Sequence, residues 1–377
     1  MRVLFIGKRF YTNRDTLLDH YGRIYQLPRH WAQQGIDTRL WLIDYHSKQR
    51  VQQTQGALPI DSTPLRGPAW FAATLSTLAS RLRGSERPTH IVASGDAYIG
   101  LLGWLLARSI GAHFVFDVYD KYDEFTGYRK PLGWNLFGFL LQHADRCWFA
   151  SRRLLGQLGN PNRGDALIMN GIDLDHFTAH KMGAARQCFD LPTATPLVGY
   201  FGALNRERGL PDLIEAMRIV RSIDSSVELI LAGKADAEIT FDAPGVHYLG
   251  NLDHEQIPWA LAAVDVVAVP YRRSPFLDAA SSIKFGEIMA CRRPLVATRT
   301  PNLLDNFPAQ AAELDPYLAP PQNPAALADA IVRQLRDQKR VDPPAGMEWA
   351  AIASEALSSL AAACENQALN TLPRTRL

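Results

Sequence analysis

A chain of 377 residues exceeds one ordinary core and suits two domains of roughly 150–200 residues each. At 47% hydrophobic, 21% charged and 10% aromatic, the composition is globular and excludes a disordered or coiled-coil chain. Lys plus Arg number 40 against 38 Asp plus Glu, and this net +2 argues against a dedicated nucleic-acid binder.

In chain order, the apolar run VLFI (3–6) predicts a buried strand, and a polar loop follows it. Apolar residues Ile24, Leu27 and Trp31 recur at helical spacing between Tyr21 and Gln34, and Gly35 stops that helix. TRLWLID (38–44), HIVASG (90–95), FVFDVYD (114–120), RCWFAS (146–151) and ALIMNGID (166–173) predict further strands. Helical patterns over 62–84, 97–109 and 131–143 separate them. The pattern then restarts with PLVGYFG (196–202), VELILAG (227–233), VHYLG (246–250), VDVVAVP (264–270) and RPLVAT (293–298). Helices over 210–220, 324–337 and 348–364 accompany these strands, and 367–377 reads as a polar, frayed tail.

Strands alternating with helices predict an α/β protein of two doubly wound, Rossmann-like domains with a cleft between them. The aperiodic stretch 178–195 reads as the linker, dividing the chain into 1–185 and 186–345. Ligands in such sheets bind beyond the carboxyl ends of the strands, so the loops there are where functional side chains belong.

Cys147, Cys188, Cys291 and Cys364 form no CxxC pair and have no His at metal spacing, so neither a disulfide framework nor a metal site is expected. MRVLFIG is too short for a signal peptide, and IGLLGWLLA (99–107) is about half a membrane span. These features predict a cytoplasmic protein that does not span a membrane. PLGWNLFGFLL (131–141) reads as an interfacial anchor, with Trp134, Phe137 and Phe139 beside Arg129 and Lys130, or as a buried aromatic helix.

In the second half, DAASSIKFGEIMACRRPLVAT (278–298) places Ser281 and Ser282 as helix N-cap candidates before Ile283 and a helical run. A helix start there can hold a phosphate, and Glu287 one turn inward can accept hydrogen bonds from two ribose hydroxyls. Lys284 reads as a helix-surface ion-pair partner for that glutamate. The loop GALNRERGL (202–210) adds Gly202 for close backbone approach and Arg206 and Arg208 as cations for a pyrophosphate. Fixed donors of this kind stabilise charge on a departing diphosphate, or else they are solvated turn residues. In the first half, Asp117, Asp120 and Asp123 gather at and beyond a strand end, with Asp117 as a structural cap or partner. DHYGRIYQLP (19–28) offers Tyr21, Gly22 and Arg23, with Arg14 nearby, as contacts for an acceptor or as a hydrophilic helix entry. Asp96 in SGDAYIG reads as an N-cap.

Five segments in order resemble the family-4 glycosyltransferases. They are MNGIDLDHF (169–177), VGYFGALNRERGLPDLIEA (198–216), HYLGNLDHEQIPWALAAVDVVAVPY (247–271), FGEIMACRRPLVAT (285–298) and the helix around Trp349. The resemblance implies a GT-B fold, a nucleoside-diphosphate-sugar donor held by 186–345, and an acceptor held by 1–185. It implies that the helix 346–366 packs back on the first domain, that transfer is retaining, and that no metal or other cofactor is needed. Glu287 falls at the ribose-binding glutamate, and Lys234 where base or ribose is often contacted.

There are departures as well. The diphosphate-binding cation pair maps to Ala203 and Arg208, with Arg206 or Asn205 as substitutes for the missing charge. The earlier glutamate of a paired motif falls at Ala279, with Asp278 as its candidate replacement. The usual strand-end His maps to Tyr119, an expected acceptor contact, followed by Asp120 as an acceptor-orienting group or base.

The expected function is transfer of a sugar to an acceptor hydroxyl in bacterial glycan, glycolipid or glycoconjugate synthesis, with no nucleic-acid partner. The alternatives are a non-catalytic binding subunit of the same fold, or a nucleotide-sugar epimerase or hydrolase on it. A dinucleotide oxidoreductase is disfavoured because no GxGxxG follows either opening strand. Residues 1–185 carry 22 basic against 15 acidic residues, and 186–377 carry 18 against 23. The basic half is therefore expected to meet an anionic acceptor or the anionic inner face of a membrane.

Overall fold

Runs of β-branched and aromatic residues without polar alternation become strands buried on both faces, and they assemble into two largely parallel sheets. The computed structural model describes residues 1–11, 14–47, 49–65, 87–124 and 133–370. These divide into two units, 1–171 with 348–377, and 172–347.

In the first unit, β1 (Arg2–Lys8) precedes a small hairpin of β2 (Phe10–Tyr11) and β3 (Arg14–Asp15). Then come β4 (Asp37–Asp44), β5 (Val51–Gln55), β6 (Leu58–Pro64), β7 (His90–Ser94), β8 (His113–Val118), β9 (Arg146–Phe149) and β10 (Ala166–Leu167). The sheet order is β10-β9-β8-β7-β1-β4-β6-β5, parallel except for the antiparallel edge pair β5 and β6. The sheet grows in both directions from β1, so its topological switch point lies between β1 and β7.

A helix expected from residue 62 onward gives way at its start to β6, whose Leu58, Ile60 and Ser62 are buried against β4. After Leu65 the rest of that expected helix, 66–84, lies outside the described residues. Residues 131 and 132 of the aromatic segment, with Arg129 and Lys130, also lie outside them. The helix that follows is Leu136–His143, and Phe137 stands in the core with its ring 6.0 Å from that of Phe116.

One buried ion pair ties the first unit at its switch point. Arg23, in the first turn of the helix Arg23–Gln33, donates to both carboxylate oxygens of Asp117 on β8, at 2.9 and 2.7 Å. Its remaining nitrogen donates to the Ile168 carbonyl at 2.9 Å and to Asn170 Oδ1 at 3.0 Å. Ser94 Oγ on β7 adds a 2.6 Å hydrogen bond to Asp117. Tyr122 closes the same region, its hydroxyl donating to the Asp117 carbonyl and accepting from the Gly95 and Tyr119 amides. The C-terminal helix Trp349–Asn370 belongs to this unit, where Trp31 Nε1 donates to the Ala353 carbonyl and Trp148 Nε1 to Ser359 Oγ.

The second unit is built on β11 (Leu197–Phe201), β12 (Glu228–Ala232), β13 (Val246–Tyr248), β14 (Val266–Val269), β15 (Leu295–Thr298) and β16 (Leu318–Ala319). All are parallel, in the order β13-β12-β11-β14-β15-β16. The expected division after residue 185 falls inside this unit, and the expected linker carries the helix Met182–Cys188. The reason is a buried anchor. Arg186 donates to the carbonyls of Ala263, Pro192 and Thr193 and pairs with Asp265 at 2.8 Å. Ala185 packs on Ala262 and Ala263, and the Ile172 amide bonds the Met347 carbonyl at 2.6 Å.

At the carboxyl ends of this sheet, two glycines let backbone meet backbone. A Cβ on Gly233, after β12, would overlap the Gly202 carbonyl oxygen after β11. A Cβ on Gly209 would overlap the Pro270 carbonyl oxygen after β14. Both have positive φ, +132° and +78°. The loops after β11 and β12 are then zipped together, Leu204 N donating to the Lys234 carbonyl at 2.8 Å and Asp236 N to the Leu204 carbonyl at 3.1 Å.

Arg23→Met strands the Asp117 carboxylate in the core and should cost about 3–5 kcal/mol of unfolding free energy in denaturant titrations. Adding Asp117→Asn should recover part of that loss. Gly233→Ala should destabilise by about 1–3 kcal/mol, because backbone must shift to admit the methyl group. Gly183, where a Cβ meets nothing within 4 Å, is the control and should stay at or above wild-type stability as alanine.

Candidate functional site

The residues singled out in the second half converge on the mouth of β11. Gly202 follows the strand directly with φ +149° and carries no side chain into the space next to it. Asn205 Oδ1 accepts from the Arg208 amide at 2.9 Å, which closes the loop that presents Arg208. Arg206 is exposed, whereas Arg208 is half-buried with its guanidinium 4.9 Å from the centre of the Tyr271 ring. Lys234 is exposed, and its backbone carbonyl holds the zipped loop.

The segment 281–287 meets this loop through one side chain. Lys284 Nζ donates to the Phe201 carbonyl and lies 5.3 Å from the centre of the Tyr200 ring. Its ammonium fills the space that a Cβ on Gly202 would need. Tyr271, at the end of β14, is buried between these groups. Burial pushes its phenol up, but the charges of Lys284 and Arg208, with hydrogen bonds to Ser282 and Arg208, outweigh it and draw the pKa down.

Two details of this segment differ from expectation. The helix is Lys284–Ala290, and its N-cap is Ile283 with no side-chain cap, so the serines lie before the helix. The Ser282 amide is taken by Asn302 Oδ1 at 3.1 Å, while Asn302 Nδ2 donates to the Leu277 carbonyl. Neither serine therefore caps the helix, and the Ser282 amide is held by the Asn302 side chain. Asp278 also has a different job. Arg273 Nε donates to both of its oxygens at 2.9 and 2.8 Å, so the carboxylate is committed to an ion pair. Glu287 is half-buried one turn into the helix, and Ser281 is half-buried before it. Burial first, and then the Glu287 charge, push the Cys291 thiol up to about 12, so that cysteine stays protonated and inert.

In the first unit the expected acceptor residues separate into two groups. Arg23 is 1% exposed with its donors spent on Asp117, Ile168 and Asn170, so it is a structural residue. Tyr119 is buried and its hydroxyl donates to the Gly95 carbonyl at 3.1 Å, so its side chain is likewise structural. Both were read as acceptor contacts because each sits at a strand or helix end; the partner that buries them comes from a distant segment. Gly22 is the N-cap of the helix Arg23–Gln33 with φ 75°, and Tyr21 is half-exposed beneath the Arg14 guanidinium at 5.3 Å. Asp120 is half-buried just past β8. Asp96 caps the helix Ala97–Ile110, accepting from the Tyr98 and Ile99 amides at 2.9 Å.

Lys284 and Tyr271 are the residues that the sequence reading passed over. The signal for Tyr271 was present, because it lies two residues past β14 at a strand carboxyl end. Lys284 was visible only as a neighbour of Glu287; its reach to Phe201 is a tertiary fact. Among the described residues, no group of three or more His, Cys, Asp or Glu side chains could hold a metal ion, and no helix is long and apolar enough to cross a membrane.

Residues 195–337 match the family model described as Glycosyl transferases group 1, and residues 23–167 match that of the Glycosyl transferase 4-like domain. The 2-deoxystreptamine N-acetyl-D-glucosaminyltransferase of Streptomyces fradiae is 21% identical over 356 residues, 84% of this chain and 82% of that protein. The putative teichuronic acid biosynthesis glycosyltransferase TuaH of Bacillus subtilis is 22% identical over 36% of this chain, and the match spans 34% of that protein. Among solved structures, sucrose-phosphate synthase from Thermosynechococcus elongatus superposes with a TM-score of 0.65 at 19% identity, covering 98% of each chain. Anabaena HepE in complex with UDP superposes with a TM-score of 0.63 at 16% identity, covering 99% of this chain and 100% of that one. Each half of the chain thus matches a glycosyltransferase model, on a fold of two Rossmann-like sheets shared with these structures, and the chain belongs to the glycosyltransferases of the family-4, GT-B type.

Proposed function

We propose that the chain is a retaining glycosyltransferase that takes a sugar from a nucleoside-diphosphate sugar to an acceptor hydroxyl, in the synthesis of a bacterial glycan, glycolipid or glycoconjugate. The observation that carries this reading is the presentation of Arg208, half-buried over Tyr271, at the same strand mouth as the segment bearing Glu287. A structural neighbour with UDP bound, Anabaena HepE, supports a nucleotide-sugar donor.

In this reading Glu287 accepts hydrogen bonds from the ribose hydroxyls, with Lys234 beside the base or ribose and Ser281, Ser282 and Ile283 along the diphosphate. As the bond from the sugar to the phosphate oxygen breaks, negative charge grows on the diphosphate. A guanidinium already fixed over an aromatic ring stabilises that charge without having to reorganise. The acceptor oxygen forms its bond to the same face of the sugar, and its proton passes to the leaving phosphate oxygen, so the protein need supply no nucleophile. The acceptor belongs to the first unit, where Asp120 orients the reacting hydroxyl and Tyr21 with the Gly22 backbone lines the approach. That unit holds 23 Lys and Arg against 16 Asp and Glu, which supports an anionic acceptor or a peripheral position on an anionic membrane face.

The test is transfer by the purified chain from a panel of sugar nucleotides, with the anomeric configuration of the product read by NMR. Arg208→Ala should lower kcat by about 10²-fold or more while leaving the unfolding midpoint near wild type. Glu287→Ala should weaken nucleoside-diphosphate binding at least about tenfold in calorimetry. Unchanged binding in the Glu287 variant would remove the ribose assignment, and an inverted product would overturn retention.

A further inference from the structure

The donor reading leaves one charge unaccounted for. A departing diphosphate is more negative than one guanidinium can balance, and the second cation position of the resemblance is Ala203, an uncharged and exposed residue. Neither substitute named from the sequence supplies a half-buried second charge: Arg206 is exposed on its loop, and Asn205 is neutral.

Lys284 does fit. It comes from a segment 76 residues further along the chain than Arg208, yet both cations act on the same Tyr271 phenol. Its ammonium stands where a side chain on Gly202 would otherwise be, at the end of the strand whose loop carries Arg208. An ammonium has three N–H bonds, and the Phe201 carbonyl takes one of them. The Tyr200 ring at 5.3 Å gives the charge a second resting contact. Two cations at one strand mouth can each give an anionic ligand a charge-assisted hydrogen bond.

We propose that Lys284 is the second diphosphate-binding cation of this chain, in place of the charge missing at Ala203. The proposal rests on the donor reading given above. It also gives Gly202 a reason: any side chain there would displace the ammonium.

The test compares wild type, Lys284→Met and Lys284→Arg in calorimetry, at several salt concentrations. The probes are UDP, GDP, ADP and dTDP, each paired with its own nucleoside. For the diphosphate that wild type binds, Lys284→Met should lose roughly tenfold or more in affinity, with a shallower salt dependence. The matching nucleoside should bind both proteins equally, and Lys284→Arg should restore a large part of the loss. A general unfolding of the site would instead weaken nucleoside and diphosphate together, with no rescue by arginine, and would overturn the assignment. Equal diphosphate affinity in Lys284→Met would overturn it too, with the donor reading left standing. Failure of every nucleoside diphosphate to bind wild type would overturn both.

Discussion

The second unit depends on how closely its strand-end loops approach one another. Gly233 and Gly209 allow carbonyl oxygens of neighbouring loops to lie where a Cβ would be, so the turns after β11, β12 and β14 close into one rim. That rim is a backbone object, held by the Leu204 and Asp236 amides, and the charged side chains are mounted on it. Arg208 lies over Tyr271 because the loop after β11 is pressed against the end of β14. The rim is therefore held by peptide groups, and a Cβ at either glycine would force them apart.

The two units spend their charges differently. In the first, the buried pair of Arg23 and Asp117 consumes a cation and an anion to join the helix Arg23–Gln33, β7, β8 and the segment after β10. In the second, Arg272 with Asp212 and Arg273 with Asp278 tie down the loop after β14. Once these structural pairs are set aside, Arg208 and Lys284 remain as cations set against the Tyr271 and Tyr200 rings, with the Glu207 charge also acting on Arg208. The second unit, 172–347, holds 17 Lys and Arg against 22 Asp and Glu, so attraction for an anion there is local. The first unit is +7 by the same count, in keeping with a different partner for each unit.

The strands and the restart of the α/β pattern were legible because buried parallel strands read as apolar runs, from VLFI to VVAV. The edge hairpin of β5 and β6 was not, since VQQTQ and LPIDSTP are polar and their pairing is tertiary. The unit boundary was misplaced because the stretch 178–195 lacks periodicity, while Arg186 fastens it to Ala263 and Asp265, 77 and 79 residues further on. At the candidate site, residue types at strand ends single out Arg208, which lies half-buried over Tyr271, and Glu287, which is half-buried in the helix Lys284–Ala290. At Arg23 and Tyr119 the side chain is satisfied by a partner distant in sequence, and at Asp278 by Arg273, five residues earlier. Lys284 shows the converse, a residue whose local reading was ordinary and whose reach is not.

The central claim is that the rim of the second unit is built for a nucleoside diphosphate. Titrating the purified chain calorimetrically with UDP, GDP, ADP and dTDP, each beside its nucleoside monophosphate, tests it most directly. The account predicts that one diphosphate binds measurably tighter than its monophosphate, with an affinity that falls as salt rises. Binding that is indifferent to the second phosphate, or absent for all four, would contradict it.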